Sequence, residues 1–466
     1  MRDCTRWSLK RQMEWFRKQY AQHGKLPFSE ILSEELVLGT LKSLGHTCYD
    51  SLYNPVATLW IFLSQTISAD RSLAAAVEGF LAWRLSRGLS ACSTKTGAYS
   101  RARSRLAEEL LVKLTRVTGC ELARQAIPDW LWKGRHVKLF DGSTVSMPDT
   151  PKNQAAYPQQ KNQKPGVGFP LVRIGVLFSL SVGSALDLGL RRWAGKFQSE
   201  LAILRDMWDC FDAGDVLLTD RYLCSHMEIA VLRSLGVDVV ARMHAQRKVD
   251  FRRGKQIGME DHLVSWKKPP KPEWMSQQQY ATLPDEMQMR ELRYRVQAKG
   301  FRPVTIVLAS TLLDAEQYPS DDVADLYGQR WDVEINLRSL KTIMQMDVLR
   351  GVTPEMVRKE IWAGLLAYNL IRTVIAQAAL QHGKQPKHIS FKRALRTVEN
   401  FRPALAAATP TTLPQIYQHM LHAISTHTIG NRPGRAEPRR VKRRPKPYPR
   451  LNEPRDEART ACRKKG

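Results

Sequence analysis

Apolar residues recur at helical spacing through EELVLGTLKSL, ATLWIFLSQ and RLAEELLVKLTRV, with Pro or Gly between the segments. Residues 1 to about 125 are therefore expected to be helical. At His136 the period changes. HVKLFDG is a short β-rich run, and after the loop MPDTPKNQAAYPQQKNQKPGVGFP come LVRIGVLFSL and SALDLGL. Three strands in succession predict an antiparallel meander. A helix is expected over about Lys196 to Phe211, and DVLLTD reads as a short buried strand. A further helix, about Cys224 to Leu235, leads into the strand VDVVAR.

Residues 245–312 break this alternation. The polar, Pro- and Trp-containing WKKPPKPEWM is followed by two strand-like runs, RELRYRVQAKG and FRPVTIVLAST, which together predict a β-rich insertion. From Ser320 the chain turns helical again through YGQRWDVEINLRSLK and LLAYNLIRTVIAQ. The expected division is a helical region at 1–125, an α/β core at 126–244 that resumes at 313–352 after the insertion, a helical region at 353–428, and a tail at 429–466. That tail, with RPGRAEPRRVKRRPKPYPR, is too rich in Pro and Arg to build a core and is expected to be disordered until it meets a polyanion. No internal repeat is visible.

Composition narrows the function. The 466 residues carry 72 Lys+Arg against 45 Asp+Glu, a formal net charge of +27, and such a surface attracts polyanions. Charge alone leaves open a ribosome- or membrane-facing basic protein. The seven cysteines are an odd number without a C-x-x-C pair, which signals neither a disulfide framework nor a zinc site and fits a reducing cytosol. MRDCTRWSLKRQ lacks the apolar core of a signal peptide. The most apolar runs, VATLWIFLSQTISA and IWAGLLAYNLIRTVIAQAAL, are interrupted by Gln65 or by Asn369, Arg372 and Gln377, so no membrane span is expected.

The segment Tyr327 to Lys341 gathers its polar groups on one side. At about 100° per residue from Tyr327, Arg330 falls at about 300°, Trp331 at about 40°, Glu334 at about 340°, Arg338 at about 20° and Lys341 at about 320°. Leu326, Val333, Leu337, Leu340 and Met344 fall beside them at about 220° to 280° and predict a packed stripe. A solvated face of i,i+4 ion pairs explains the charges. It does not explain Tyr and Trp, which can stack on bases, among Arg and Lys that neutralise phosphates. A lone Glu among cations reads as a metal ligand in need of partner carboxylates.

Two candidates close strands: Asp141 ends HVKLFD and Asp220 ends DVLLTD. Taken singly, Asp141-Gly142 reads more readily as a turn and Asp220-Arg221 as a surface pair. Together the order is strand with Asp, strand, strand, helix, strand with Asp, then a late helix with Glu. It resembles a ribonuclease H-like α/β fold, in which the first and fourth strands lie side by side.

The sequence also resembles a family, the bacterial DDE transposases of the insertion-sequence-four group, whose signature is Tyr-x2-Arg-x3-Glu-x6-Lys. Tyr327, Arg330, Glu334 and Lys341 match it, and the likeness extends to DGSTVSMPDTPKNQAAYPQ, GDVLLTDRY, WIFLSQTISADRS and TGAYSRARSRL, covering most of residues 50 to 380. The resemblance implies a ribonuclease H-like catalytic core with a β-strand insertion, flanked by helical regions, the N-terminal one DNA-binding. It implies Asp141, Asp220 and Glu334 as catalytic residues and ligands of two Mg²⁺ ions, with Mn²⁺ as a substitute. Tyr327, Arg330 and Lys341 would grip phosphates, Trp331 would lie near a displaced base, and Arg242 in VVARMH would be a basic DNA contact. Relatives also carry a Trp in the insertion that acts in base flipping; Trp266 and Trp274 are candidates, with a core role for either an equal reading.

The implied activity is cleavage at terminal inverted repeats and transfer of the freed 3′-OH to target DNA, in a homodimeric synaptic complex of a cytoplasmic, nucleoid-associated bacterial protein. Two rivals stand beside it, a catalytically inactive DNA-binding derivative and a ribonuclease H-like nuclease without strand transfer.

Overall fold

The computed structural model describes residues 32–46, 51–244, 246–296, 304–409, 411–429 and 451–465. The N-terminal part is helical as expected: α1 (Glu34–Ser43), α2 (Pro55–Ile67), α3 (Leu73–Ser86), α4 (Gly97–Arg105) and α5 (Glu108–Arg124). The first three begin on side-chain caps, with Ser33, Asn54 and Ser72 accepting from the N–H groups of Leu36, Ala57 and Ala75 and so satisfying otherwise orphaned donors.

The meander follows as β1 (Val137–Ser146), the short helix α6 (Pro151–Ala156), β2 (Leu171–Ser179) and β3 (Ala185–Arg192), all antiparallel neighbours. The helix expected over Lys196 to Phe211 is shorter. Ser199 caps α7 (Glu200–Arg205), and only a 3₁₀ turn at Trp208–Cys210 continues it. The chain then enters β4 (Val216–Thr219), α8 (His226–Ser234) and β5 (Asp238–Arg242), with β4 parallel to both β1 and β5.

The insertion holds more strands than expected: β6 (Lys255–Gly258), β7 (Asp261–Lys267), the helix α9 (Gln277–Thr282), β8 (Glu286–Val296) and β9 (Val304–Ser310). It builds no separate sheet. β9 pairs antiparallel with β5, so one nine-stranded sheet runs in the order β3-β2-β1-β4-β5-β9-β8-β7-β6. Arg290 of β8 fixes the join: it is fully buried, paired with Asp261 of β7, and donates to the carbonyls of Leu312 and Tyr318 beyond β9.

Helices complete the chain: α10 (Ser320–Gly328), α11 (Trp331–Arg338) running into a π turn at Ser339–Ile343, α12 (Pro354–Gln381), α13 (Phe391–Ala407), α14 (Leu413–Thr426) and α15 (Arg455–Lys465). α12 is long and apolar enough to cross a membrane, yet it lies buried among the other helices and the sheet. Its polar residues have protein partners. Asn369 bonds to the backbone of Ala185 and Thr115, and Arg372 to Tyr368 and Asn336. The middle of the basic tail, with residues 1–31, lies outside the described residues. At its end α15 carries Asp456 and Glu457 in its first turn, where the helix dipole favours them.

Breaking the Arg290–Asp261 pair strands a buried carboxylate, which typically costs about 3–5 kcal/mol. Arg290→Ala is expected to lower unfolding free energy by about that much in a urea titration. A loss under about 1 kcal/mol would mean that the pair does not hold the insertion to the sheet.

Candidate active site

The site begins with register. β1 and β4 run parallel with Leu139 opposite Leu218. Asp141 and Asp220 each lie two residues further on, so the pleat returns both to the face that Leu139 and Leu218 share, on strands about 4.8 Å apart. Asp220 also caps the turn after β4, its Oδ1 accepting from the N–H groups of Tyr222 at 2.9 Å and Leu223 at 3.2 Å. Asp141 accepts from its neighbour Gly142 at 2.8 Å. Burial pushes the Asp141 carboxyl up to about 6. The Gly142 N–H and the Arg330 charge oppose that rise, and the charges of Asp220 and Glu200 add to it.

The Tyr327–Lys341 segment is not one helix. α10 stops at Gly328, and Gln329, Arg330, Asp332 and Val333 donate to carbonyls three residues back, a tight turn before α11. The turn rotates Tyr327 away from Trp331, which the helical wheel had grouped together: Tyr327 is 9% exposed and Trp331 56%. The apolar stripe Leu326, Val333, Leu337, Leu340 and Met344 is buried as expected.

This broken segment lies across the strand ends. At one end, burial raises the Tyr327 phenol while the Arg330 and Arg242 charges oppose and the Asp220 charge adds, so Tyr327 faces β4 and β5. At the other, Lys341 Nζ donates to Ser143 Oγ of β1 at 2.9 Å. Between them Arg330 Nη2 meets Glu334 Oε1 at 3.0 Å. Burial works against the Arg330 charge, but Tyr327, Glu334 and Asp141 outweigh it and hold the guanidinium above its ordinary pKa. Glu334 is thus turned to Arg330, within easy i,i+4 reach, while Arg330 also acts on Asp141. Among the described residues no three His, Cys, Asp or Glu side chains stand close enough to hold a metal ion. Asp141 and Asp220 stand on neighbouring strands, and Glu334 is joined to that pair through Arg330.

Arg242, at the end of β5, opens on a cavity of about 350 Å³ lined also by Arg221, His244, Arg247 and Arg293. The guanidinium of Arg247 lies 3.6 Å over the ring of Trp266. Trp266 is itself buried, its Nε1 donating to Glu291 at 2.8 Å, so the core reading holds for it. Trp274 packs edge-on against Trp208 beneath the guanidinium of Arg205.

Residues 132–370, a little over half of the chain, match the transposase DDE domain family. Over 363 residues the chain is 28% identical to the transposase InsG of insertion sequence element IS4 from Escherichia coli K12, covering 76% of this chain and 77% of that one. The chain belongs to the bacterial DDE transposases of the insertion-sequence-four family. It is also 38% identical over 80 residues to the putative transposase InsL of element IS186A from the same strain, 17% of this chain and 22% of that one. Among solved structures it is similar to a piggyBac transposase synaptic complex with hairpin DNA, at 10% identity and a TM-score of 0.43, with 85% of this chain and 84% of that chain covered.

DDE transposases generally use divalent metal ions. The donors here suit one: Asp141 and Asp220 offer hard carboxylate oxygens on neighbouring strands. Besides Arg221, Arg247 and Arg293, sequence reasoning missed Glu200, whose charge acts on both Asp141 and Asp220. Its one signal was the N-cap Ser199 that starts α7 beside it.

The Asp141 carboxyl sits above its ordinary value of 3.8, at about 6. The folded protein thus holds that proton more tightly than the unfolded chain, so this stabilisation is full below about pH 4 and lost as pH rises through about 6. In EDTA, Asp141→Asn is expected to melt above the unsubstituted protein at about pH 7.5, the two converging near pH 4. Equal melting temperatures at the higher pH would contradict the burial assigned to this carboxyl.

Proposed function

We propose that this transposase binds the terminal inverted repeats of its insertion sequence as double-stranded DNA and catalyses Mg²⁺-dependent strand cleavage and strand transfer. The observation that carries the reading is the level register of Asp141 and Asp220 with the Tyr327–Lys341 segment laid over it. The strand order β3-β2-β1-β4-β5, with β1 and β4 parallel, supports a ribonuclease H-like catalytic core. Asp141, Asp220 and Glu334 are the residues that would hold two divalent cations, Mg²⁺ or Mn²⁺. When bound, the cations supply positive charge against the charge that builds up on the scissile phosphate.

The chain's own groups do the positioning. Tyr327, Arg330 and Lys341 span β5 to β1 and present a hydroxyl and two cations to the backbone of one DNA end. Arg242 and the basic cavity beyond it take phosphates further along the strand. Trp331 stands exposed on the same segment, free to stack on a displaced base. Water attacks the phosphodiester, the freed 3′-OH then attacks target DNA, and no covalent bond to the protein forms. The helices before residue 125 supply end binding, and two copies of the chain bring two ends together.

Labelled inverted-repeat ends incubated with a target plasmid separate the readings: joined product marks the transposase, cutting alone a nuclease, and retention alone a binder. In that assay Glu334→Gln is expected to retain the ends and to abolish Mg²⁺-dependent cutting; near-normal cutting would remove Glu334 from the site. Arg330→Ala is expected to weaken end binding and to flatten the plot of log affinity against log salt by about one unit of slope. An unchanged slope would take Arg330 off the phosphates.

A further inference from the structure

The loop between β1 and β2 is held in one shape by two glutamines. Gln159 uses its whole amide: Oε1 accepts from the N–H groups of Gly166 at 3.1 Å and Gly168 at 3.2 Å, and Nε2 donates to the carbonyls of Gln163 at 3.2 Å and Lys164 at 2.9 Å. Gln154 Nε2 donates to the Gly168 carbonyl at 3.0 Å, and its Oε1 accepts from the Gln159 N–H at 3.0 Å. Gly168 has no room for a side chain, since a Cβ there would stand 2.0 Å from Gln163 Oε1. On the other side the Pro170 carbonyl accepts from the Met147 N–H at 3.2 Å. Gly168 and Pro170 are buried, yet Phe169 between them is 59% exposed.

A single exposed apolar side chain is ordinary. One carried on a backbone fixed from both sides is not explained by packing, because ordering that backbone costs entropy and the ring itself stays out of the core. Its surroundings say what the ring suits. Residues 151–170 include Lys152, Lys161 and Lys164, all exposed, and no Asp or Glu, so the loop attracts a polyanion. An exposed ring among cations on a stiff loop has the form of a wedge that enters a base step.

The place of the loop fits such a partner. Phe169 lies across the hairpin from Pro148, and so about seven residues past Asp141, or about 23 Å at about 3.3 Å per residue. That is the length of about seven base pairs at about 3.4 Å each. The base of the loop is tied to the chain that follows Lys341: Thr150 Oγ1 donates to the carbonyl of Val352 at 2.9 Å, and Asn153 Nδ2 to that of Gly351 at 3.1 Å. In the sheet order β1 and β4, which lead to the two aspartates, stand between β2 and β5, which ends in Arg242. DNA lying from the Arg242 cavity across the aspartates therefore reaches the loop on the far side of the scissile phosphate.

Resting on the reading of the chain as a DNA-cleaving transposase, we propose that Phe169 is a wedge for the duplex beyond the scissile phosphate, with Lys161 and Lys164 on the backbone of that duplex. Before cleavage this duplex is the DNA flanking the element, and after it the target. Both present the same stacked base pairs to the ring.

The test is binding of the full-length protein to three labelled duplexes: an inverted-repeat end with its flank, the same end already cut, and the cut end together with a target duplex. Phe169→Ala is expected to keep the melting temperature and the affinity for the cut end. It should weaken binding of the flanked end, capture of the target, or both, by about tenfold, and Phe169→Trp should restore what is lost. Which duplex is affected tells flank from target. Replacing Lys161 and Lys164 together by Gln should flatten the salt dependence for that same duplex by about two units of slope. If Phe169→Ala binds all three within twofold of the unsubstituted protein, or weakens the cut end as much as the others, the wedge is overturned. A change confined to sedimentation would likewise overturn it and make the ring a contact between copies of the chain. If the unsubstituted protein does not tell inverted-repeat ends from random duplex, the functional reading itself is wrong and the wedge falls with it.

Discussion

The parallel pairing of β1 with β4 is the constraint from which the site follows. Because Leu139 stands opposite Leu218, the two aspartates that end the apolar runs are level and on one face. A slip of one residue would turn one of them to the other side of the sheet. What holds the register is hydrophobic: Val137, Leu139, Val216 and Leu218 are all buried in the same core. The carboxylates stand just past those runs, where the apolar environment ends, and Asp141 feels that boundary as burial of a charge.

The late segment is fixed to this frame from below and at its end. Below it, Arg372 of the buried helix α12 reaches Asn336 of α11, and the hydroxyl of Tyr368 donates to the carbonyl of Gly183 in the turn before β3. One helix therefore sets both the sheet and the segment that lies over it. At the end, Lys341 is tied to Ser143 on β1. The tight turn at Gln329–Arg330 then has a function in geometry. It buries the Tyr327 phenol toward β4 and β5, while Glu334 and Arg330 face β1. A single straight helix would have carried all of them on one line.

Much of this was legible before any coordinates. The change from helical to strand period at His136, the two Asp residues at strand ends, and the apolar stripe from Leu326 to Met344 all follow from spacing, because each is set by local burial. The tight turn was not legible. Only Gly328 marks it, and the residues around it are ordinary helix formers, so tertiary packing of Tyr327 decides the break. β6 and β7 were missed because KQIG is too short, and DHLVSWK too mixed in polarity, to stand out against their loops. Glu200 was invisible for a different reason. Its place depends on Gly142, Gly175 and Gly189 aligning across three strands, and register between strands is not written in any one of them.

The distribution of charge adds a last step. Several arginines in the fold are matched: Arg290 by Asp261, Arg116 by Asp187, Arg358 by Glu108, Arg205 by Glu228. Around the cavity beyond β5 Arg293 is matched by Glu260, and the others are not. Among the described residues, Arg221, Arg242 and Arg247 have no carboxylate within ion-pair distance, and they converge on one hollow at the edge of the site. Crowding like charges destabilises the fold that carries them. The insertion extends the sheet rather than folding apart from it, so β8 and β9 become a wall of that hollow and bring Arg293 to it. Arg242 on β5 and Arg293 on β8 are carried by the core's own sheet, which fixes the backbone from which both side chains reach the hollow. Charges gathered before a partner arrives are the condition under which a fixed field raises both the rate and the tightness of association with a polyanion.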